Sequence, residues 1–450
     1  MPRPTNLLFI FADQLRGQDV GCAGNAAVAT PSIDRIAREG VRVTNAISSY
    51  PVCSPYRASL LTGNHVFRNG MYFNDVRLPE HNLCAGTIYA DAGYATGYIG
   101  KWHLDGQNRL GFTPPGWRRR GFDYWAVCNC AHDYFRAFYY LDSPEPIAIE
   151  GWEPDGYTDL ALDFLRERAR DPFCLFLSYA PPHDPYVAPP EWMERYDAAK
   201  IPLRPNAQGD PSERIAAYWA ATTGLEHNVG RLLTELDELG IADTTLVVFT
   251  SDHGDMLLSQ GRVKKQQPWE ESILVPFVAR GPGIPAGTVS DALLSTVDVL
   301  PTVLALTGVP HPGGMDGIDL SGALRGVECN DPDATYIMDV CAAGEALVAG
   351  IPEWRGVRTK RYTYARSRER GWVLYDNRED PYQLRNLVDD PGNDLLRRQL
   401  DDLTWRFAER YEDEFREGAH YLELASKAGP ECCPPTLMGP DGAFQVKGKE

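Results

Sequence analysis

Residues 53–63 of this chain read Cys-Ser-Pro-Tyr-Arg-Ala-Ser-Leu-Leu-Thr-Gly. Ser54 suits the N-cap of a helix and Pro55 its first helical position, so a helix is predicted to begin here with two leucines on its buried side. This places Cys53 just ahead of the positive end of the helix, where an anion is favoured. The simpler alternative is a half-buried cysteine ahead of an ordinary helix, because most free cysteines are small core residues.

Outward from this stretch, apolar runs alternate with helical patterns. Runs typical of buried strands occupy 7–12, 95–100, 173–178 and 245–250, and helices are predicted at 31–40, near 87–92 and at 213–239. Each of the four runs is followed by a polar cluster: Asp13-Gln14, Lys101-Trp102-His103, His183-Asp184 and Asp252-His253. Ligands of open α/β sheets bind beyond the carboxyl ends of the strands. The pattern therefore predicts a large, mostly parallel sheet flanked by helices, with the clusters converging on one site.

The character of the chain changes near residue 330. Short strands are predicted at 334–340, 357–364 and 372–375, followed by a helix whose apolar stripe is Leu396, Leu400, Leu403 and Phe407. These elements predict a small antiparallel sheet with a covering helix. The predicted organisation is an α/β catalytic domain at 1–330, an α+β subdomain at 331–425 and an extended arm at 426–450.

The overall charge limits the classes of partner. Of the 450 residues, 44 are Lys or Arg and 62 are Asp or Glu, which gives a net charge of −18. This balance argues against nucleic acid or an anionic membrane surface as the main partner. No apolar stretch approaches the length of a transmembrane helix. An anionic substrate therefore needs a local basic pocket.

Location is predicted from the N-terminal run and from the cysteines. The run at 7–12 is too short for the core of a signal peptide, so we expect a cytoplasmic protein, or a periplasmic or secreted one if a leader has been removed. The ten cysteines form no compact disulfide framework, and Cys128-x-Cys130 lacks the second pair that a zinc site needs. The sequence also allows a homo-oligomer.

The motif Cys53-x-Pro55-x-Arg57, followed by Leu61-Thr62-Gly63, resembles the modification motif of the type I sulfatases. The resemblance extends over nearly the whole chain and implies the alkaline-phosphatase-like fold. It also implies that a separate formylglycine-generating enzyme oxidises the cysteine to formylglycine, and that the product hydrolyses a sulfate monoester.

Such an ester resists hydrolysis because its charged oxygens repel a nucleophile and an alkoxide leaves badly. At the strand ends, Asp13, Asp252 and His253 can hold a divalent cation, and Lys101 and Lys265 can hold sulfate oxygens. Each residue taken alone also has a structural explanation, as a helix cap, a turn residue, a hydrogen-bonded histidine or a solvated surface charge.

The resemblance assigns the site residues individually. The metal ligands map onto Asp13, Cys53 in its modified form, Asp252 and His253, with Ca²⁺ expected ahead of Mg²⁺ or Mn²⁺. The family often has a second aspartate where this chain has Gln14, whose amide oxygen can take that place. The catalytic residues implied are Arg57 beside the formylglycine hydrate, Lys101 and His103 of the Lys-x-His element, His183 of the Pro-His-x-Pro element and the sulfate-binding Lys265. Lys264 is the competing assignment for the last.

The substrate and two other functions stay open. The stretch 117–140 combines arginines with aromatic residues, which suits either binding of anionic sugars or packing of a surface loop on the main domain. We favour a sulfated carbohydrate over a small aryl or choline ester. The alternatives are a phosphonate monoester or phosphodiester hydrolase of the same fold, in which the Asp-Gln and Asp-His pairs also occur, and a binding protein in which Cys53 is never converted.

Overall fold

The computed structural model describes residues 4–342, 346 and 349–427. The strands are β1 (Asn6–Asp13), β2 (Val41–Ile47), β3 (Ala95–Lys101), β4 (Tyr124–Cys128), β5 (Phe138–Tyr139), β6 (Ile147–Ala148), β7 (Phe173–Pro182), β8 (Thr245–Ser251), β9 (Phe277–Arg280), β10 (Thr288–Ser295), β11 (Ala334–Asp339), β12 (Trp354–Thr359), β13 (Tyr362–Arg366) and β14 (Gly371–Asp376). The α-helices are α1 (Pro31–Glu39), α2 (Cys53–Thr62), α3 (Val66–Asn69), α4 (Ala85–Asp91), α5 (Glu153–Arg168), α6 (Pro190–Met193), α7 (Ser212–Glu238), α8 (Glu270–Ile273), α9 (Thr296–Thr307), α10 (Ser321–Leu324), α11 (Asp394–Arg410) and α12 (Gly418–Lys427).

Eight strands form the central sheet in the order β10-β2-β9-β8-β1-β7-β3-β4. Strand β9 runs antiparallel to both of its neighbours, and the remaining pairs are parallel. The four buried runs expected from the sequence are β1, β3, β7 and β8. They lie next to one another in the sheet, in the order β8-β1-β7-β3. This mixed, mostly parallel sheet confirms the predicted fold class.

Strand β1 lies near the middle of the sheet, and all eight of its residues are buried. Its alternate side chains enter two separate cores: Phe9 packs with residues of α2 and α9, whereas Ile10 packs with residues of α1, α5 and α7. A strand covered on both faces reads as a continuous apolar run. The same burial holds Asp13, at the end of β1, away from solvent.

A second, four-stranded antiparallel sheet has the order β11-β12-β13-β14 and is covered by α11. The single strand predicted at 357–364 is wrong, because this stretch contributes to both β12 and β13. The chain turns between them where Thr359 Oγ1 accepts from the N–H groups of Arg361 and Tyr362, at 3.2 and 2.8 Å. The arm predicted at 426–450 lies, beyond residue 427, outside the described residues. No helix in the described part of the chain has the length and apolarity to cross a membrane.

Helix α12 is attached to β12 through Arg355. The Arg355 guanidinium is fully buried, forms an ion pair with Asp413 and donates to the hydroxyl of Tyr421 at 3.2 Å. Breaking a buried pair leaves an uncompensated charge. Arg355→Met is therefore expected to lower the free energy of unfolding by about 3–5 kcal/mol in chemical denaturation.

Arg368 provides the matched control, since its pair with Glu417 is exposed. Arg368→Met is expected to cost about 0–1 kcal/mol. Equal losses in the two variants would contradict the role assigned to Arg355.

Candidate active site

Four strand ends and one helix start meet at the carboxyl edge of the central sheet. Asp13 ends β1, Lys101 ends β3, His183 follows β7, Asp252 and His253 follow β8, and Cys53 begins α2. All six residues are buried. The structure thus brings together, in one buried site, polar clusters that lie up to 240 positions apart in the sequence.

The start of α2 differs from the sequence prediction. Cys53 is the first residue of the helix and Val52 its N-cap, so Ser54 does not cap it. The Ser54 main-chain N–H instead donates to Asn74 Oδ1 at 2.9 Å, and the Ser54 hydroxyl donates to the carbonyl oxygen of His103 at 2.6 Å. Because Asn74 satisfies a free N–H group of the first turn, the helix can begin at Cys53 without a serine cap.

Arg57, one turn into α2, holds the two site carboxylates. Its Nη2 donates to Asp13 Oδ2 and to Asp252 Oδ2, each at 3.1 Å, and its Nη1 donates to the Lys101 carbonyl oxygen and to Ser178 Oγ. None of these side chains is accessible to solvent. Arg57 therefore fixes the spacing of Asp13 and Asp252 through a buried, charge-assisted network.

The Cys53 thiol is surrounded by cationic groups and one carboxylate. Its Sγ lies 3.2 Å from Lys265 Nζ, 3.4 Å from His253 Nε2, 3.9 Å from Lys101 Nζ and 3.8 Å from Asp13 Oδ1. Burial and Asp13 act to raise the pKa of Cys53, but Lys101, Lys265 and His253 outweigh them and hold it well below its usual value. Position 53 thus lies where negative charge is stabilised.

Four residues can hold a metal ion: Asp13, Cys53, Asp252 and His253, here called the metal-ligand cluster. One donor atom from each lies within 4.8 Å of the others. Burial and the nearby Asp13 carboxylate raise the pKa of Asp252, and a bound cation would relieve that repulsion. Two carboxylates with one imidazole suit a divalent cation.

Gln14 joins this site through its main chain, whose N–H donates to Asp252 Oδ1 at 3.0 Å. The Gln14 side chain is buried, and its Oε1 accepts no hydrogen bond from the residues that the structure describes. An amide oxygen in this situation is available as a further metal ligand, which agrees with the chemistry expected of the cluster.

Lys265 and Lys264 have different partners. Lys265 Nζ lies 3.2 Å from Cys53 Sγ and donates to His183 Nε2 at 2.7 Å. Lys264 Nζ instead pairs with Asp184 Oδ2 at 3.3 Å. Of the two lysines considered from the sequence, Lys265 is the one that reaches position 53.

His183 is neutral in the resting site. Burial, followed by the charge of Lys265, holds the pKa of His183 well below its usual value. Its Nδ1 donates to the carbonyl oxygen of Asp184 at 2.8 Å, which leaves Nε2 to accept from Lys265. The ring of His132 stacks on His183 with centroids 4.3 Å apart and an angle of 17° between the planes.

His103 is held by Asp75, which its Nε2 contacts at 3.0 Å. Arg109 grips the same carboxylate with two hydrogen bonds of 2.8 and 2.7 Å. Burial alone would lower the pKa of His103, but Cys130 and the hydrogen bond to Asp75 outweigh burial and raise it to about 10. His103 therefore holds its proton near neutral pH, and Asp75 fixes the orientation of its ring.

Sequence reasoning missed several neighbours of the site: Asp75, Ser178, His132 and Asp255. His132 and Asp75 lie outside any motif, and only the fold brings them to the site. Asp255 comes directly after Asp252-His253-Gly254 in the sequence, so its position near the site could have been expected.

Three arginines of the stretch 117–140 are engaged in internal contacts. Arg118 pairs with Asp105, Arg119 donates to the Leu141 carbonyl oxygen, and Arg120 donates to the Glu80 carbonyl oxygen. The large aromatic residues Trp125 and Tyr134 are buried. For these residues the loop-packing interpretation fits better than a sugar-binding surface.

Comparison with known proteins agrees with this geometry. Residues 5–309 match the family model for sulfatases, and residues 260–409 match that for the C-terminal region of N-sulphoglucosamine sulphohydrolase. The chain is 38% identical to an ulvan-active sulfatase of Formosa agariphila, over 94% of this chain and 84% of the relative. It is 29% identical to an endo-4-O-sulfatase of Bacteroides thetaiotaomicron, over 87% of this chain and 89% of the relative.

A solved structure from a study of glycosaminoglycan metabolism in B. thetaiotaomicron superposes with a TM-score of 0.84 at 27% identity, covering 96% of this chain and 100% of that one. The family match spans more than half of the chain, and the fold and the motif around Cys53 agree with it. The protein therefore belongs to the sulfatase family of sulfuric ester hydrolases, in the alkaline-phosphatase-like fold.

Proposed function

We propose that this sulfatase hydrolyses a sulfate monoester of a carbohydrate, with formylglycine formed from Cys53 as the nucleophile and a divalent metal ion in the site. The observation that carries the proposal is the position of Cys53, which touches Lys265 and His253 and belongs to the metal-ligand cluster. Relatives named as acting on ulvan and on N-acetylglucosamine-6-O-sulfate support a carbohydrate substrate.

Residue 53 and the metal supply two distinct functions. The formylglycine hydrate offers one hydroxyl that attacks sulfur and a second whose deprotonation expels sulfate and regenerates the aldehyde. A divalent cation at the metal-ligand cluster would stabilise charge on the sulfate and on the attacking oxygen. Maturation then requires a formylglycine-generating enzyme as a partner of the newly made chain.

The other side chains have separate roles in this scheme. Lys101 and Lys265 neutralise sulfate oxygens, while Arg57 keeps Asp13 and Asp252 in place. His183 is the general acid for the leaving oxygen, a role that requires its ring to be protonated, and the contact of its Nε2 with Lys265 Nζ at 2.7 Å holds the ring in place.

His103 accepts the proton of the second hydroxyl of residue 53. Because the pKa of His103 is raised to about 10, the ring must release its own proton before this uptake, and its hydrogen bond to Asp75 keeps the ring in one orientation. This step expels the sulfate without an attack of water at sulfur.

Activity on matched substrates tests the reaction. A panel of sulfated mono- and oligosaccharides, an aryl sulfate, a phosphodiester and a phosphonate monoester should show the highest kcat/KM on a sulfated sugar. A higher kcat/KM on the phosphonate monoester would favour the alternative function, a phosphonate monoester hydrolase of the same fold in which the Asp-Gln and Asp-His pairs also occur. Absence of turnover on every sulfate ester, in protein whose residue 53 is formylglycine, would overturn the proposal.

A chelator is expected to remove activity and to lower thermal stability, and Ca²⁺, Mg²⁺ or Mn²⁺ to restore both. A ligand that binds only the folded state stabilises it by about 2.7 kcal/mol at a free concentration one hundred times its Kd. Elemental analysis and thermal unfolding, each with and without added cation, measure the effect, with Ca²⁺ expected to give the largest recovery. Full activity in verified metal-free protein would contradict the metal site.

A further inference from the structure

Gln14 contacts the metal-ligand cluster through its main-chain N–H and a second group of polar residues through its side chain. Its Nε2 donates to Asp255 Oδ2 at 2.7 Å and, more weakly, to Asp184 Oδ1 at 3.5 Å. Among the described residues its buried Oε1 has no hydrogen-bond partner. A buried acceptor without a partner is costly, so Oε1 is expected to bind a group that the described residues do not supply.

Asp255 determines which end of the amide faces each neighbour. Its Oδ1 accepts from the main-chain N–H groups of Leu257 and Lys264, both at 3.0 Å, and its Oδ2 accepts from Gln14 and from the hydroxyl of Tyr186 at 2.5 Å. Both oxygens of Asp255 thus act as acceptors, each from two donors. Gln14 presents its NH₂ group to Asp255, which directs Oε1 away from this carboxylate.

Tyr186 strengthens this arrangement. Burial, followed by the charge of Asp255, raises the pKa of Tyr186 far above its usual value, so the phenol keeps its proton and donates it to Asp255. Its ring packs edge to face on Tyr218, whose hydroxyl donates to the Gln14 carbonyl oxygen at 2.6 Å. Tyr218 thus holds the Gln14 main chain directly, and Tyr186 acts on the Gln14 side chain through Asp255.

We propose that Asp255 and Tyr186 form a clamp that positions Gln14 Oε1 as a neutral ligand of the divalent cation at the metal-ligand cluster. The proposal rests on the metal site of the proposed function. It also accounts for a glutamine where the family often has an aspartate, because an acidic side chain at position 14 would face the carboxylate of Asp255 at close range. Gln14 is therefore the ligand, and Asp255 is the residue that positions it.

A charge exchange between the two positions tests the clamp. In Asp255→Asn, the new NH₂ group donates to Gln14 Oε1 and turns the Gln14 NH₂ group towards the cation. In Gln14→Glu, two carboxylates oppose each other. In the double variant, Glu at 14 accepts from Asn at 255 with one oxygen and offers the other to the metal, with the total charge unchanged.

The readout is Ca²⁺ and Mn²⁺ affinity of the full chain by isothermal titration calorimetry, with melting temperatures in chelator reporting the stability of the metal-free protein. Each single variant is expected to bind about 10- to 100-fold more weakly, as is usual when residues that orient metal ligands are changed. The double variant is expected to recover at least the wild-type affinity. Rescue of this kind would not arise if either residue were merely structural.

Two tyrosine variants give a matched comparison. Tyr186→Phe removes the hydroxyl on Asp255 and is expected to weaken Ca²⁺ binding, whereas Tyr218→Phe removes a buried hydroxyl from the Gln14 main chain and should lower mainly the melting temperature. Wild-type affinity in Asp255→Asn, or a double variant as weak as the single variants, would overturn the clamp alone. A wild-type protein that binds neither cation would remove the metal site and the clamp together.

Discussion

Cys53→Ala is expected to abolish sulfate ester hydrolysis, with a loss in kcat on the order of 10⁶-fold, the scale seen when a catalytic nucleophile is removed from a hydrolase. Alanine cannot be converted to formylglycine, and it also takes one donor from the metal-ligand cluster. The remaining Lys101 and Lys265 can still bind a sulfate, so binding of the substrate should persist. Single-turnover kinetics and substrate binding, measured on the same preparation, separate the two effects.

Cys174→Ala is the control for this variant. Cys174 is buried in β7, and burial raises the pKa of its thiol well above the usual value, so it is an inert core residue. The control should keep kcat within a few-fold of wild type while losing stability. If Cys53→Ala retained substantial activity, residue 53 would not be the nucleophile.

The second large effect is a difference between substrates in His183→Ala. A general acid matters in proportion to the need of the leaving group for a proton, and typically contributes about 10²- to 10⁴-fold. A nitrophenolate leaves unassisted, whereas a sugar alkoxide does not. We expect His183→Ala to reduce kcat/KM by about 10²- to 10⁴-fold on a sulfated sugar and by far less on nitrophenyl sulfate.

Lys101→Ala is the matched variant, because it removes sulfate stabilisation that both substrates share. It should reduce kcat/KM by a similar factor on each, under conditions where the chemical step limits the rate. Equal slowing of both substrates by His183→Ala would instead assign the leaving-group proton to Lys265, which contacts His183 at 2.7 Å, or to His103.

The parts of the fold that were predicted share a physical cause. Strands β1, β7 and β8 are buried on both faces and so read as unbroken apolar runs. Strand β2 carries polar residues between its apolar ones, and β9 has only four residues, so neither was recognised. Burial of these two depends on neighbours that are distant in sequence, and local patterns do not report it.

The same distinction applies to the site. The motif around Cys53 and the residues that end strands could be predicted, because a parallel sheet gathers strand ends at one edge. The contacts of Asp75 with His103 and of His132 with His183 join positions on separate loops. The start of α2 was predicted two residues late because Asn74, 20 positions from Ser54, supplies the hydrogen bond that a cap would have supplied.

The central claim is that residue 53 acts as formylglycine, and peptide mass spectrometry of catalytically active protein tests it most directly. The protein should be made alongside a formylglycine-generating enzyme and its activity measured on the same preparation. We predict that the peptide containing residue 53 carries formylglycine. Across preparations, the apparent kcat should rise in proportion to the fraction of chains in which residue 53 is converted. Full activity in protein that carries only intact cysteine at position 53 would contradict the account.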